Sequence, residues 1–141
     1  MTDKPAVIYA RQTDLEASEF ARVLAESGLG ATRPLNDPER LGQMLSAAGL
    51  VVTARLDQSD RPLVGVARCI TDFSWCCYLS ELAVSRSAQG LGVGKGLLNQ
   101  VRRELGPTVS LILASMPDAV SFYERIGMPR MPDTFCYRRE R

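Results

Sequence analysis

The sequence predicts an α/β fold of the α+β kind, with helices flanking one mixed central sheet. Two β-rich runs, residues 50–56 and 63–70, are separated by the polar stretch Asp57-Gln58-Ser59-Asp60-Arg61-Pro62, which has the composition of a hairpin connection. A strand, a glycine-rich loop, a helix and a second strand then follow in order between residues 74 and 114. The chain has 141 residues, enough to bury one core without disulfides or a metal, so a single domain over residues 1–141 is expected. No repeat, low-complexity segment or interdomain linker interrupts it.

Taken in order, residues 6–10 read as a first strand. Thr13 followed three residues on by Glu16 has the form of a capping box, so a helix is expected from there. Leu15, Phe20, Val23 and Leu24 give that helix one apolar face, and Gly28 is placed to end it before Leu29-Gly30. In Asn36-Asp37-Pro38-Glu39 a polar cap precedes a proline in the first turn, which predicts a second helix over 39–48. The runs 50–56 and 63–70 make two antiparallel strands. Residues 74–84 form another, and its Trp75, Tyr78, Leu79, Leu82 and Val84 suggest a central strand covered on both faces towards its end.

Beyond the glycine-rich loop, residues 94–105 carry Leu97, Leu98, Val101 and Leu105 at helical spacing, closed by Gly106-Pro107. Residues 109–114 are a buried strand run. Pro117-Asp118 opens a helix to Ile126 that stops at Gly127, and residues 134–138 are left as a short final strand. Strand 74–84, helix 94–105 and strand 109–114 form a β-α-β unit, which requires parallel strands. The loop sits at the carboxyl end of the first of them, where open α/β sheets bind ligands.

Composition excludes several functions. Lysine and arginine outnumber aspartate and glutamate by 17 to 16, so there is no broad basic field for nucleic acid or an anionic membrane, and a small partner is expected. No apolar run has membrane-spanning length, and Met1 to Ala10 lacks the charged and apolar regions of a signal peptide, which predicts a cytoplasmic protein. Cysteines at 69, 76, 77 and 136 form no CxxC pair, and with no histidine in the chain a metal site is not expected. Cys76 and Cys77 are adjacent in a strand and should point to opposite faces as ordinary packing residues. The missing histidine rules out a Ser-His-Asp triad and leaves carboxylates, tyrosine, cysteine or water for proton transfer.

Gln89-Gly90-Leu91-Gly92-Val93-Gly94-Lys95-Gly96 holds four glycines in eight residues. Glycine permits positive φ and close backbone approach, so successive N–H groups can converge on an anion that the following helix N-terminus also attracts. A phosphate or pyrophosphate is the expected guest; the alternative is a flexible glycine turn. A Walker loop would need glycine at Gln89 and serine or threonine at Gly96, and a dinucleotide GxGxxG fails from either Gly90 or Gly92.

Gln89, Gly92 and Gly94 meet in full the Gln/Arg-x-x-Gly-x-Gly/Ala pyrophosphate loop of the GNAT superfamily of N-acetyltransferases, which the chain resembles. Upstream, Glu81-Leu82-Ala83-Val84 is similar to the end of that family's fourth strand, where the backbone pairs with the pantetheine arm after the sheet splays between its two parallel strands. Downstream, Ala119-Val120-Ser121-Phe122-Tyr123-Glu124-Arg125-Ile126-Gly127-Met128 resembles the A-x-x-F-Y-x-x-x-G-F segment. The asparagine often found three residues before that alanine is Met116 here.

The resemblance implies a GNAT-like fold and an N-acetyltransferase that moves an acetyl group from acetyl-CoA directly to a primary amine. Coenzyme A would lie against Leu82, Ala83, Val84, Gln89, Gly90, Leu91, Gly92, Val93, Gly94, Lys95, Phe122 and Tyr123. Tyr123 is similar to the family's general acid; a phenol with a reference pKa of about 10 can protonate a hydrogen-bonded thiolate of about 8.5. Glu81 is the candidate base, acting directly or through water on a substrate ammonium, with attraction of a cationic substrate or a solvated carboxylate as the alternatives. Ala83 or Val84 N–H would polarise the thioester carbonyl. The runner-up is a non-catalytic acyl-CoA-binding sensor or regulatory module. The acceptor, an amine of a small molecule or peptide, is shaped by residues 1–70 and the last strand, where no motif stands out. Family members often dimerise, which makes a homodimer an expectation.

Overall fold

A computed structural model of the chain describes residues 5–141, so the expectation of no leader in Met1 to Ala10 lies partly outside the described residues. Strands β1 (Val7–Arg11), β2 (Leu50–Leu56), β3 (Leu63–Thr71) and β4 (Cys76–Val84) pair antiparallel in sequence order. Strand β5 (Ser110–Ile112) joins the outer edge of β4 in parallel, so the sheet runs β1-β2-β3-β4-β5 and β4 lies inside it as expected. Helices α1 (Ala17–Ser27) and α2 (Pro38–Ser46) cover one face, α3 (Val93–Leu105) covers the other, and α4 (Val120–Arg125) follows β5.

Each face has its own core. Phe20, Val23 and Leu24 of α1 and Leu41 of α2 pack on Val51, Leu63, Val66 and Ala83. Across the sheet, Leu97, Leu98, Val101 and Leu105 of α3 pack on Leu50, Val52, Ala54, Ala67 and Leu79. Full burial of each large aliphatic or aromatic side chain contributes roughly 1.5–3 kcal/mol, so these stripes, more than helix propensity, hold α1 and α3 in place.

Three local structures differ from the sequence reading. Helix α1 starts at Ala17 with Glu16 as its N-cap and no side-chain cap, so the capping box from Thr13 does not form. Instead Leu15, just before the cap, is buried in the same core as Phe20 four positions into the helix, the arrangement of a hydrophobic staple. Strand β4 starts at Cys76 because the Asp72 carboxylate accepts the amides of Ser74, Trp75 and Cys76 at 2.9, 2.8 and 3.2 Å and closes a turn there. The final strand expected over 134–138 is absent: no regular element follows α4, and Phe135 and Tyr137 are fully exposed. A strand with no partner leaves its backbone groups to water, and nothing in the described fold pairs with this segment.

Strand β5 is also shorter and more open than the buried run expected over 109–114, spanning Ser110–Ile112 with Ser110 exposed and Leu111 and Ile112 half-buried; elsewhere the sequence reading holds more closely. Asp37 caps α2 by accepting the Arg40 amide at 3.1 Å, with Pro38 in the first turn. Gly28 ends α1 at φ 88°, a left-handed conformation that favours glycine. Cys76 is exposed and Cys77 buried, on opposite faces as expected.

The four glycines around α3 divide into two pairs. Gly90 and Gly92 have φ of 88° and 76° and face open space. Gly94 and Gly96 lie within α3, where the absent Cβ admits a ring: one built on Gly94 would stand 3.1 Å from Phe122 Cζ, and one on Gly96 would overlap the Tyr9 hydroxyl and its Cζ. Gly96→Ala is therefore expected to cost about 1–3 kcal/mol, the usual range for overpacking. Chemical denaturation checks this, and a midpoint equal to wild type would show that Tyr9 yields without cost.

Candidate active site

The wedge between β4 and β5 is set by how briefly they pair. Only Cys76, Cys77 and Tyr78 are matched with Ser110, Leu111 and Ile112, while β4 continues to Val84 with β3 as its sole neighbour. A β-bulge adds to the divergence: Arg68 pairs with Glu81 and Cys69 with Leu79, which leaves Ser80 as the extra residue. Past the bulge Glu81 and Ala83 are buried while Leu82 and Val84 are half-buried; Ala83 joins the α1/α2 core and Leu82 and Val84 pack on the α3 core.

The glycine-rich loop closes the top of this wedge. Ser85 fixes its start, donating its amide to Val64 O at 2.8 Å and its hydroxyl to Glu26 of α1 at 2.8 Å. A short turn at Arg86–Ala88 follows, and the amides of Gln89 and Leu91 bond back to Arg86 and Ala88 carbonyls. The Gln89 side chain donates to Val84 O at 3.3 Å, tying the loop to the end of β4. Gly92 then caps α3 without a side-chain hydrogen bond. Among the described residues, the amides of Gly90, Gly92, Val93, Gly94 and Lys95 carry no hydrogen bond. Free first-turn amides at the positive end of a helix, behind two glycines that face open space, suit an anion, and the Lys95 ammonium lies in the same turn. These residues fit a pyrophosphate group.

Helix α4 reaches the loop through Phe122, whose ring lies against Gly94, and Tyr123 follows with its ring 5.0 Å from Phe122 in an edge-to-face arrangement. Burial raises the Tyr123 phenol above its ordinary value, so it stays protonated at neutral pH. Leu82, Ala83, Val84 and the loop from Gln89 to Lys95 thus lie at the carboxyl end of β4, and Phe122 and Tyr123 stand beside the first turn of α3.

Glu81 belongs to a different constellation. It is 1% exposed on the α1/α2 side of the sheet. Oε1 accepts Arg68 Nε; Oε2 accepts Arg33 Nε at 2.8 Å, Ser80 Oγ at 2.8 Å and Arg68 Nη2 at 3.3 Å. The remaining donors are also used: Arg33 Nη2 reaches Ser80 O at 2.9 Å and Arg68 Nη1 reaches Met44 O of α2 at 3.1 Å. Burial acts to raise the Glu81 carboxyl, but hydrogen bonding and charge from Arg68, with Ser80 and Arg33, outweigh it and hold the group below the usual carboxylate range. Glu81 is therefore not the open carboxylate that a direct base would be.

Sequence reasoning did not find Arg33, Arg68 or Ser80. The available signal was Arg68 itself, a charge inside the apolar run Val64-Gly65-Val66-Ala67-Arg68-Cys69, which needs a buried partner.

A family model described as an acetyltransferase (GNAT) domain matches residues 29–138, from the α1–α2 connection through the loop and α4. The chain belongs to the GNAT acetyltransferase family. It is 33% identical over 79 residues to the uncharacterised N-acetyltransferase ycf52 of Porphyra purpurea, a match that covers 55% of this chain and 45% of that protein. The chain thus spans about half the length of the curated relatives it matches. An acetyltransferase by assignment from Deinococcus radiodurans shares the fold with a TM-score of 0.73, at 26% identity over 98% of this chain and 94% of that one. The aminoglycoside N-acetyltransferase AAC(6')-Iy, solved in complex with CoA, superposes with a TM-score of 0.71 at 14% identity, covering 99% of both chains. This GNAT chain also has no helix, among its described residues, long and apolar enough to cross a membrane.

The ion cluster generates a prediction with a sign. A carboxyl held low in the folded state contributes stability that is fully present above its unfolded value, near 4.5, and is lost as pH falls towards its folded value. Wild type should lose stability below about pH 4.5, and Glu81→Gln, which leaves the buried Arg68 and the half-buried Arg33 guanidiniums under-compensated, should be destabilised at pH 7 by about 3–5 kcal/mol with a flatter acid limb. Urea midpoints across pH 3–7 check both parts, and parallel curves for the two proteins would remove the linkage.

Proposed function

We propose that the chain transfers an acetyl group from acetyl-CoA to a primary amine by direct attack. The observation that carries this reading is the row of free amides at the start of α3, fronted by Gly90 and Gly92 and set at the end of a strand that has parted from its parallel neighbour. Acetyl-CoA would supply the thioester. The amides of Gly90, Gly92, Val93, Gly94 and Lys95 would bind its pyrophosphate, and the free edge of β4 at Leu82, Ala83 and Val84 would run beside the pantetheine arm; since Ser85 N–H bonds Val64 on the β3 side, Ala83 N–H faces β3 as well and Val84 N–H is the one that would be directed at the developing oxyanion. The structurally similar AAC(6')-Iy was solved in complex with CoA, which supports coenzyme A as the carrier of the acetyl group.

The chemistry breaks one C–S bond and forms one C–N bond. The amine attacks in its neutral form, the nitrogen releases a proton to water, and the departing sulfur takes a proton from Tyr123. Burial suits Tyr123 to that part because the phenol remains a donor through the physiological range. For Glu81 we propose anchoring rather than proton abstraction, since every lone-pair direction of its carboxylate is directed at Arg33, Arg68 or Ser80. A cytoplasmic location, with its supply of acetyl-CoA, is part of the same proposal.

Two substitutions test it. Gly92→Glu places a charge and a side chain at φ 76° in front of the free amides, so calorimetry should find acetyl-CoA binding abolished in a protein that still folds by circular dichroism. Unchanged affinity would remove the pyrophosphate assignment. Tyr123→Phe keeps the ring packed on Phe122 and deletes only the hydroxyl, so single-turnover acetylation should slow by about two to four orders of magnitude with acetyl-CoA affinity intact. An unchanged single-turnover rate leaves Tyr123 a packing residue. Tight acetyl-CoA binding with no turnover on a broad amine panel would leave the sensor reading in its place.

A further inference from the structure

With coenzyme A on the α3 side of the wedge, an acceptor reaches the thioester from the α1/α2 side. The segments that border that side carry few charges. Strand β4 has a single carboxylate, Glu81; β5 and the residues after it up to Met116 have no charged side chain; and the α1–α2 connection, residues 28–36, has Arg33 alone. Glu81 is met by Arg33 and by Arg68 of β3, so two positive charges against one negative leave the cluster at a net +1. The faces of α1 and α2 packed on this part of the sheet are apolar, with Phe20, Val23, Leu24 and Leu41.

The other carboxylates nearby are occupied or out in solvent. Glu26 of α1, which holds Ser85 at the end of β4, is paired with Arg22 at 2.9 Å. On α4, Glu124 is paired with Arg130 at 3.3 Å, and Asp118 is exposed in the turn that opens the helix. The segment after α4, which ends against α2 where Arg40 donates to the Arg141 carbonyl, has Arg130, Arg138, Arg139 and Arg141 against Asp133 and Glu140. An ammonium entering here finds no open carboxylate to hold it or to take its proton, and the chain has no histidine to serve instead. The net positive charge of the cluster disfavours a bound cation and favours the neutral amine.

We propose that the acceptor is a weakly basic amine bound uncharged, the α-amine of a peptide or amino-acid amide, and that the Arg33–Arg68–Glu81 cluster selects against lysine side chains and polyamines. This inference rests on the acetyl transfer proposed above and assigns its substrate class. The neutral nitrogen attacks the thioester carbon, the C–N bond forms as the C–S bond breaks, Tyr123 protonates the sulfur, and the surplus proton on nitrogen passes to water. Neutrality then decides reactivity. With reference pKa values of about 8.0 and 10.4, about one α-amine in four is neutral at about pH 7.5, against about one lysine side chain in 800.

Initial rates of thiol release from acetyl-CoA test the assignment with three acceptors: alanyl-alanine amide, Nα-acetyl-lysine amide and putrescine. At about pH 7.5, kcat/KM for the α-amine should exceed both others by at least about tenfold, because the stronger nucleophilicity of the more basic amines offsets only part of the difference in neutral fraction. For alanyl-alanine amide, log kcat/KM should rise with unit slope and level only at the amine's own pKa. A further break at lower pH would reveal an enzyme base and overturn the proposal. Equal or faster use of the lysine side chain or of putrescine would overturn it while leaving acetyl transfer in place, whereas acetyl-CoA binding with none of the amines acetylated would overturn the transfer and this inference together. The cluster has its own test: Arg33→Gln, which removes the surplus charge, should narrow the gap between the peptide and putrescine, and Arg33→Lys should keep it, with thermal transitions confirming that both fold. An unchanged gap in a folded Arg33→Gln overturns the cluster as its cause, and the panel and pH profile of the unsubstituted chain decide the substrate class without either variant.

Discussion

Two guanidiniums closing on one carboxylate hold the middle of this fold together. Arg68 comes from β3, Glu81 from β4 and Arg33 from the connection between α1 and α2, so the cluster joins the sheet to the helical layer where β4 changes its pairing. Arg68 also reaches the Met44 carbonyl of α2, and both arginines engage Ser80, the residue that the bulge leaves unpaired. Buried charges are tolerated only when their hydrogen-bonding capacity is filled, and no buried side-chain nitrogen or oxygen among the described residues lacks a partner. The bulge is thereby held in one register, and that register sends Leu82 and Val84 to the α3 side while the β4 edge separates from β5.

The wedge follows from this and from the shortness of β5. Three paired residues are enough to align β4 and β5 in parallel, but not to keep them together up to the loop. The loop then begins from Ser85, itself tied to Glu26 of α1, so the position of the free amides inherits the relation between the sheet and its helical layer. Phe122 closes the arrangement from the other direction by lying on Gly94, which brings the α4 tyrosine to the start of α3.

Much of this was legible in the chain itself. The hairpin strands and the β-α-β unit were readable because their apolar spacing is strict and their connections are polar or glycine-rich. The loop was readable because glycines at positive φ leave a local signature. Other features have no local signature. Thr13 and Glu16 satisfy the spacing of a capping box, yet burying Leu15 with Phe20 wins and moves the helix start to Ala17. The pairing of Glu81 with Arg33 and Arg68 spans 48 and 13 residues, so nothing near Glu81 announces that its charge is taken. Gly96 looked like part of the anion loop but makes space for Tyr9, a residue at the other end of the chain. The segment 134–138 has the pattern of a strand, and pattern alone does not supply a neighbour.

The contact between Tyr9 and Gly96 bears on how the protein is made. These residues are 87 positions apart, and β1 pairs only with β2, so the first strand has nothing to rest on until the hairpin has been synthesised and nothing to press against until α3 has emerged. Contacts of such long sequence separation delay the rate-limiting step of folding, because closing the intervening chain costs entropy before any burial offsets it. On the ribosome, the first strand therefore waits unpaired until the hairpin of β2 and β3 has emerged, and without its contact at Gly96 until α3 has followed.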